Sequence, residues 1–462
     1  MIVMDRVIRR IEMEQKKITV NSECFKTDNS IDESQCIFRE AINQYIDFLN
    51  SQMDSFPIIF NTLAVNVATE ASHFDKFISE KDVKKEEDEE QVIYKVPLEL
   101  GREFERLQKE LYNSINSYSF VPKNTVVAMV SLYDAYIANL IECAYTIKPE
   151  LLNASGKTFA FSDIIAFESL DNFKKHVMEK DIESILRESH DEQFKILSKR
   201  FDVPLTNDLP NFNNFIEITE RRNLFVHTNG KVSSQYLKKC KSRPVDHKEK
   251  DVQIGEELFA TPEYVEQCYE ILFEIGVKLG QVIWRKLENN LEKADDSLID
   301  IGYQLIKNGK YSLACVILDF ACKSYVKHFN KASEYVLCVN RALAYYLHGD
   351  QTKCIEIIDS VDRSGTDLKY KLAHRVLLEQ YEDAVKIMKS IGNDAQMRIA
   401  YAEWPLFNNF RKTLHFKDTY KEIFGQDYQY TEIQRTRWED VIHEASNMIE
   451  ESKKAISKNI TQ

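Results

Sequence analysis

Hydrophobic positions along this chain recur at helical rather than alternating spacing. Between residues 34 and 53 they are Cys36, Ile37, Ala41, Ile42, Tyr45, Phe48 and Leu49, the pattern of an amphipathic helix. Pro57 is expected to end or bend that helix, and apolar periodicity resumes from Ile58 to Phe77. Residues 80–91 (EKDVKKEEDEEQ) hold a single apolar side chain and read as a loop or a solvated helix end. From Leu98 the helical pattern is continuous. Glu103–Tyr118 makes one helix, Pro122 breaks the chain, and Asn124 caps a second helix that runs to Ile147 through Val127, Val130, Tyr133, Ile137, Leu140, Ile141 and Ala144. Ser162–Ala166 and a long charged segment, Ser169–Phe201, read as helices. Phe212–His227 follows, stopped by Asn229-Gly230. Thr261-Pro262-Glu263 opens another helix, with threonine as cap and proline in the first turn.

Beyond residue 291 the period changes. Ile301, Gly302, Leu305, Gly309, Tyr311, Ala314, Leu318 and Ala321 resemble a tetratricopeptide repeat, in which small residues let two antiparallel helices approach and large ones fill the groove. A weaker copy holds Ala342, Tyr345, Gly349, Cys354, Ile358 and Val361, and a third holds Leu372, Tyr381, Ala384, Met388 and Ile391. Helices over 407–424 and 432–456 would cap the open end of the stack. The fold class expected is therefore all-α. Residues 1–97 form an N-terminal helical region with a charged loop at 80–91, residues 98–290 a helical bundle, and residues 291–462 a helical-hairpin solenoid with capping helices.

Composition supports long helices. In 462 residues there are only 12 glycines and 9 prolines. The nine cysteines are scattered, with no Cys-x-x-Cys, so neither a zinc site nor a disulfide framework is indicated. They read as reduced thiols of a cytoplasmic protein. Residues 1–17 are charged throughout, unlike a signal peptide. No uninterrupted apolar run approaches the length of a membrane span, so no membrane partner is expected. The ten histidines show no metal-binding spacing, and no cofactor is expected. Asn153-Ala-Ser-Gly-Lys-Thr158 lacks the first glycine of a phosphate loop, since Leu151 stands in its place, and follows a helix rather than a strand. Net charge is −13, which argues against a chain uniformly suited to nucleic acid. The local balance differs: from Arg221 to Lys250 there are nine basic residues and two acidic ones. A stretch of that kind can track phosphates, with Arg221, Lys231, Lys238 and Lys239 as the substrate-binding candidates.

The candidate chemistry lies at the head of that stretch. Arg222 and His227 are separated by about 140° around the helix at roughly 100° per residue, with Asn223 beside the arginine. A fixed cation next to a group that titrates near neutrality suits phosphodiester chemistry. Asp134 is a carboxylate inside an otherwise apolar helix and needs a partner. Arg-Asn-x-x-x-His late on a helix of an all-helical domain resembles the motif of HEPN-domain ribonucleases. That resemblance implies a metal-independent endoribonuclease, with His227 as general base or acid, Arg222 stabilising the transition-state charge, Asn223 positioning the phosphate or the histidine, and Asp134 packed toward the motif with Arg222 or His227 as its expected partner. It further implies a homodimer or HEPN–HEPN heterodimer through this bundle, and a regulated prokaryotic defence or stress toxin whose repeats sense or dock a protein partner. A catalytically inactive HEPN–repeat scaffold is the alternative. A bundle that binds a nucleotide, or is modified there by an antitoxin, is a third.

Overall fold

The computed structural model describes residues 36–81, 83–87, 92–155, 158–160, 164, 166–206, 209–241, 252–288, 290–324, 327–361 and 367–429. These residues form fifteen α-helices and a two-stranded antiparallel hairpin, an all-α architecture. They divide into two compact units, the first holding Ile37–Ala294 and the second Asp295 onward.

The first unit is built on a pair of very long helices, α1 (Ile37–Glu80) and α2 (Gly101–Ile147). They run antiparallel. Phe60 stacks on Tyr118 at 4.4 Å, Asn66 donates to Ser114 at 2.7 Å, and Phe74 meets Phe104 at 5.4 Å. Pro57 was expected to end or bend the first and Pro122 to break the second; neither helix ends at its proline. The register puts the two prolines at the same level of the pair, and both are buried. Continuous packing on the partner helix outweighs the roughly 3 kcal/mol that an interior proline costs. The charged run 80–91 was expected as a loop or helix end. Part of it is instead one side of the hairpin, β1 (Lys84–Glu87) paired with β2 (Val92–Lys95) in the register Lys84↔Lys95. Phe74, Phe77, Val83 and Leu107 form a small core beneath it, with Tyr94 and Phe104 packed alongside.

Five further helices complete this unit: α3 (Leu170–Leu186), α4 (His190–Phe201), α5 (Phe212–Thr228), α6 (Ser234–Lys241) and α7 (Pro262–Leu287). The segment Ser169–Phe201, expected as one helix, is broken between Leu186 and His190. The α7 start is as read: Thr261 Oγ1 accepts from the Tyr264 amide at 3.2 Å, with Pro262 in the first turn. Helix α7 is buried along most of its length against α1 and α2. Tyr45 stacks on Tyr136 at 4.2 Å. Their hydroxyls donate to the carbonyls of Leu272 (2.8 Å) and Gly276 (3.0 Å). Residues 37–80, set apart in the expected domain plan, thus belong to the same bundle as 98–290. Phe38, Ala41, Ile42, Tyr45 and Leu49 are its core face, and each large apolar side chain buried there stabilises by about 1.5–3 kcal/mol. An 18-residue window of α2 reaches mean hydropathy 1.4, enough by length and composition to cross a membrane, but half of that window is buried within the protein.

The second unit is a run of short helices: α8 (Leu291–Lys307), α9 (Tyr311–Lys323), α10 (Lys331–His348), α11 (Gln351–Asp359), α12 (Leu368–Leu377), α13 (Tyr381–Ile391), α14 (Ala395–Glu403) and α15 (Leu414–Phe424). The repeat-like positions Leu305, Ala314, Leu318, Ala321, Ala342, Cys354, Ile358, Leu372, Ala384 and Met388 are all buried. Gly302 shows why a small residue is needed: a Cβ there would lie 2.6 Å from Leu318 Cδ2. Side-chain caps punctuate the series, with Asn330, Asp350, Asp367, Asp394 and Thr413 each accepting from a backbone amide. The helix expected over 407–424 is shorter. Two 3-10 turns, Pro405–Phe407 and Phe410–Lys412, precede it, because Trp404, Phe407, Phe410 and Phe416 all turn inward into one aromatic cluster. Residues 432–456 lie outside the described residues. The eight described cysteines are free thiols; burial pushes Cys240, Cys315 and Cys354 up to about 12, so they stay protonated near neutral pH.

Candidate functional site

Helix α5 is buried all round over its middle turns and opens to solvent at its C-terminal end. Asn214 through Arg221, and Leu224, are buried. Val226 and His227 are exposed, while Arg222 and Asn223 are half-buried. The helix stops as its sequence indicates. Asn229 takes the left-handed conformation (φ 53°) and Gly230 follows at φ 91°. Gly230 N donates to Leu224 O at 3.0 Å, and Gly230 O accepts from Leu258 N at 2.9 Å. A Cβ on Gly230 would lie 2.6 Å from the Leu258 carbonyl oxygen, a backbone atom that cannot swing aside. Gly230→Ala is therefore expected to lower stability by more than the about 1–2 kcal/mol of the left-handed backbone alone. Urea denaturation measures this, and an unchanged midpoint would contradict it.

The exposed end of α5 rests on a buried anchor. Glu217 is 2% exposed and accepts from Arg221 Nε (2.7 Å), Tyr236 Oη (2.7 Å) and Tyr264 Oη (2.9 Å). The Arg221 guanidinium lies 4.2 Å over the Tyr264 ring and reaches the Phe259 carbonyl at 3.4 Å. Burial, with the Glu217 charge beside it, raises the Tyr236 hydroxyl above the usual phenol range. Arg221, expected at a substrate-binding surface, is thus corrected: it is 2% exposed and closes a core ion pair. The two adjacent arginines sit about 100° apart on the helix, so one faces the core and the other the surface. Lys239 also faces carboxylates, Glu220 Oε1 at 2.7 Å and Asp191 Oδ1 at 3.6 Å. Lys231 and Lys238 are exposed. Residues 242–251, which carry the rest of the basic stretch, lie outside the described residues.

Asp134 meets Arg222, one of the two partners expected for it. Its Oδ2 accepts from Arg222 Nη2. Arg222 Nη1 donates to Asn223 Oδ1 at 3.3 Å, and Arg222 Nε, shielded from solvent, has no hydrogen-bond partner among the described residues. No side-chain bond of His227 is found among the described residues, so Asp134 does not link the two motif residues. The second oxygen of Asp134 has a partner that sequence reasoning missed: His190 Nε2 lies 2.8 Å from Asp134 Oδ1. His190 is the first residue of α4, and the break before it turns its ring toward α2. Helix α4 is held there by Arg200, whose guanidinium reaches both Asp181 of α3 and the Tyr145 hydroxyl of α2 in a buried cluster. Lys123, also missed, is 6% exposed. It bonds Glu257 Oε1 at 2.8 Å and the Asn229 carbonyl at 3.5 Å, placing a cation at the negative end of α5.

Chemically, the surface offers a guanidinium already oriented by a carboxylate, an amide beside it, and a solvent-exposed imidazole one turn on. It is open rather than enclosed. A surface depression of about 560 Å³ near the end of α4, lined by Lys195, Lys199, Asp202 and Pro204 among others, holds none of these residues. Among the described residues no group of three or more His, Cys, Asp or Glu side chains is arranged to hold a metal ion. Comparison with protein-family profiles, curated sequences and solved structures gives no match for this chain.

Proposed function

We propose that this protein is an endoribonuclease of HEPN type, acting on RNA through Arg222 and His227. The observation that carries the reading is the arrangement at the C-terminal end of α5: Arg222 is held by Asp134, while His227, about 140° around the helix and one turn on, is exposed. A guanidinium with one side taken by a carboxylate keeps further N–H donors for a phosphate. His227, at the helix C-terminus, takes the proton from a ribose 2′-hydroxyl. The 2′-oxygen attacks phosphorus, Arg222 offsets the charge that develops on the phosphoryl oxygens, and the 5′-oxygen departs with a proton supplied by a second acid. The products are a 2′,3′-cyclic phosphate and a 5′-hydroxyl. Asn223 holds the Arg222 fork, and Lys231 and Lys238 receive neighbouring phosphates.

This end of the helix carries one histidine, and the acid that protonates the departing 5′-oxygen is supplied by a second copy. Val226, an apolar residue that is 51% exposed between Arg222 and His227, is the centre of the face that the second copy covers. The working unit is thus a homodimer, cytoplasmic, with the second unit docking a protein trigger. The reaction is tested by end-group analysis of RNA incubated with the protein, alongside sedimentation. The expected result is cleavage by a dimer that leaves cyclic phosphate ends and spares an oligonucleotide with 2′-deoxyribose at every position. Cleavage of that DNA at a similar rate would contradict it.

A further inference from the structure

Asp134 has two oxygens and each is committed, one to Arg222 and one to His190. The proton transfers proposed for the reaction use neither Asp134 nor His190. We infer that His190 is a positioning residue: acting through Asp134, it fixes the plane of the Arg222 guanidinium in the orientation that receives the phosphodiester. This rests on the ribonuclease reading of Arg222.

The argument is geometric. Asp134 is 30% exposed, so a single contact to Arg222 would leave its carboxylate free to turn toward water. A second bond on the opposite oxygen, to His190 Nε2 at 2.8 Å, removes that freedom. His190 is itself immobilised. Its ring stands edge-on to Phe215 (5.7 Å between centroids, 85°) and lies beside Tyr133 at 6.1 Å, and it is only 9% exposed. Among the described residues Asp134 is the only hydrogen-bond partner of this ring. Arg222 depends on the arrangement, because among the described residues its Nε has no partner and its other contact, to Asn223, is long at 3.3 Å. The order of control runs from the aromatic wall to His190, then to Asp134, then to the guanidinium. Loss of His190 leaves the charge of Arg222 in place but not its direction. It should therefore lower kcat more than it raises KM.

Four variants test this: His190→Ala, His190→Gln, Asp134→Asn, and the double variant His190→Ala/Asp134→Asn. The His190→Ala protein is expected to cleave RNA with kcat reduced about 10- to 100-fold, the scale of a misplacement of about 1 Å, and with KM changed less than about threefold. His190→Gln keeps an N–H donor near Oδ1 and should recover most of that loss. If His190 acts only through Asp134, the double variant is no slower than Asp134→Asn alone. A second readout is independent of turnover: the Arg222 Nε–H resonance, expected to be sharp in the wild type, should broaden in His190→Ala and sharpen again in His190→Gln. Additive losses in the double variant, or wild-type kcat in His190→Ala, would overturn the assignment. Should the wild type cut no RNA and also be harmless on overexpression, the ribonuclease reading falls, and the resonance alone decides. An unbroadened Arg222 signal in His190→Ala then sinks the positioning role as well.

Discussion

His227→Ala is expected to lose RNA cleavage by about 10²- to 10⁴-fold, the contribution of a positioned general acid or base, while melting at the temperature of the parent. Both halves follow from where the side chain lies. His227 is exposed and makes no side-chain hydrogen bond among the described residues, so its truncation removes a proton carrier without disturbing packing. Arg222→Ala should cost a similar factor, about 10²- to 10³-fold for a lost charge-stabilising donor. It should also lower stability, because it strips Asp134 Oδ2 of its partner. Arg222→Lys keeps the charge but cannot reproduce the fork, and is expected to stay well below wild type. Steady-state cleavage of a short RNA, with thermal melts of the same preparations, separates these outcomes. A His227→Ala enzyme at parental rate would exclude His227 from the chemistry.

The largest stability effect is expected beneath the site, at Glu217. Glu217→Ala leaves the Arg221 guanidinium buried without its carboxylate, and leaves the Tyr236 and Tyr264 hydroxyls without their acceptor. Removing one partner of a buried ion pair costs about 3–5 kcal/mol. For a unit of this size that is a fall in Tm of roughly 6–20 °C, at about 2–4 °C per kcal/mol. Glu217→Gln keeps two of the three acceptor geometries and should recover part of the loss. A shift of under about 2 °C in Glu217→Ala would show that the network does not anchor α5. A second ion pair, Lys278 with Glu274 at 2.5 Å, is buried on α7, and Glu274 also accepts from Asn211, just before α5, at 2.7 Å.

Much of this was legible in the chain because it rests on local chemistry. The α5 stop needed only Asn229-Gly230, and the α7 start only Thr261-Pro262. That Asp134 needs a partner followed from the cost of a carboxylate on an apolar helix, and the HEPN resemblance narrowed the choice to Arg222 or His227. What stayed hidden depends on tertiary packing. Pro57 and Pro122 carry the same signal as helix-ending prolines, and only the antiparallel partner explains why the helices continue. His190 was hidden by the continuity of the pattern over 169–201. Its signal was Ser189, an N-cap residue type immediately before it with Asp191 and Glu192 in the following turn. Arg221 and Arg222 are indistinguishable by composition, and only Glu217, four residues before Arg221, marks which of them has an ion-pair partner on its own helix.

The central claim is that the Arg222–His227 face cuts RNA. The most direct test incubates total RNA and single-stranded DNA in EDTA with the wild type and with His227→Ala, after sizing both. The account predicts RNA loss with the wild-type dimer, intact DNA, and intact RNA with the variant. RNA loss that persists in His227→Ala, or RNA left whole by a wild-type dimer whose overexpression is harmless, would contradict it.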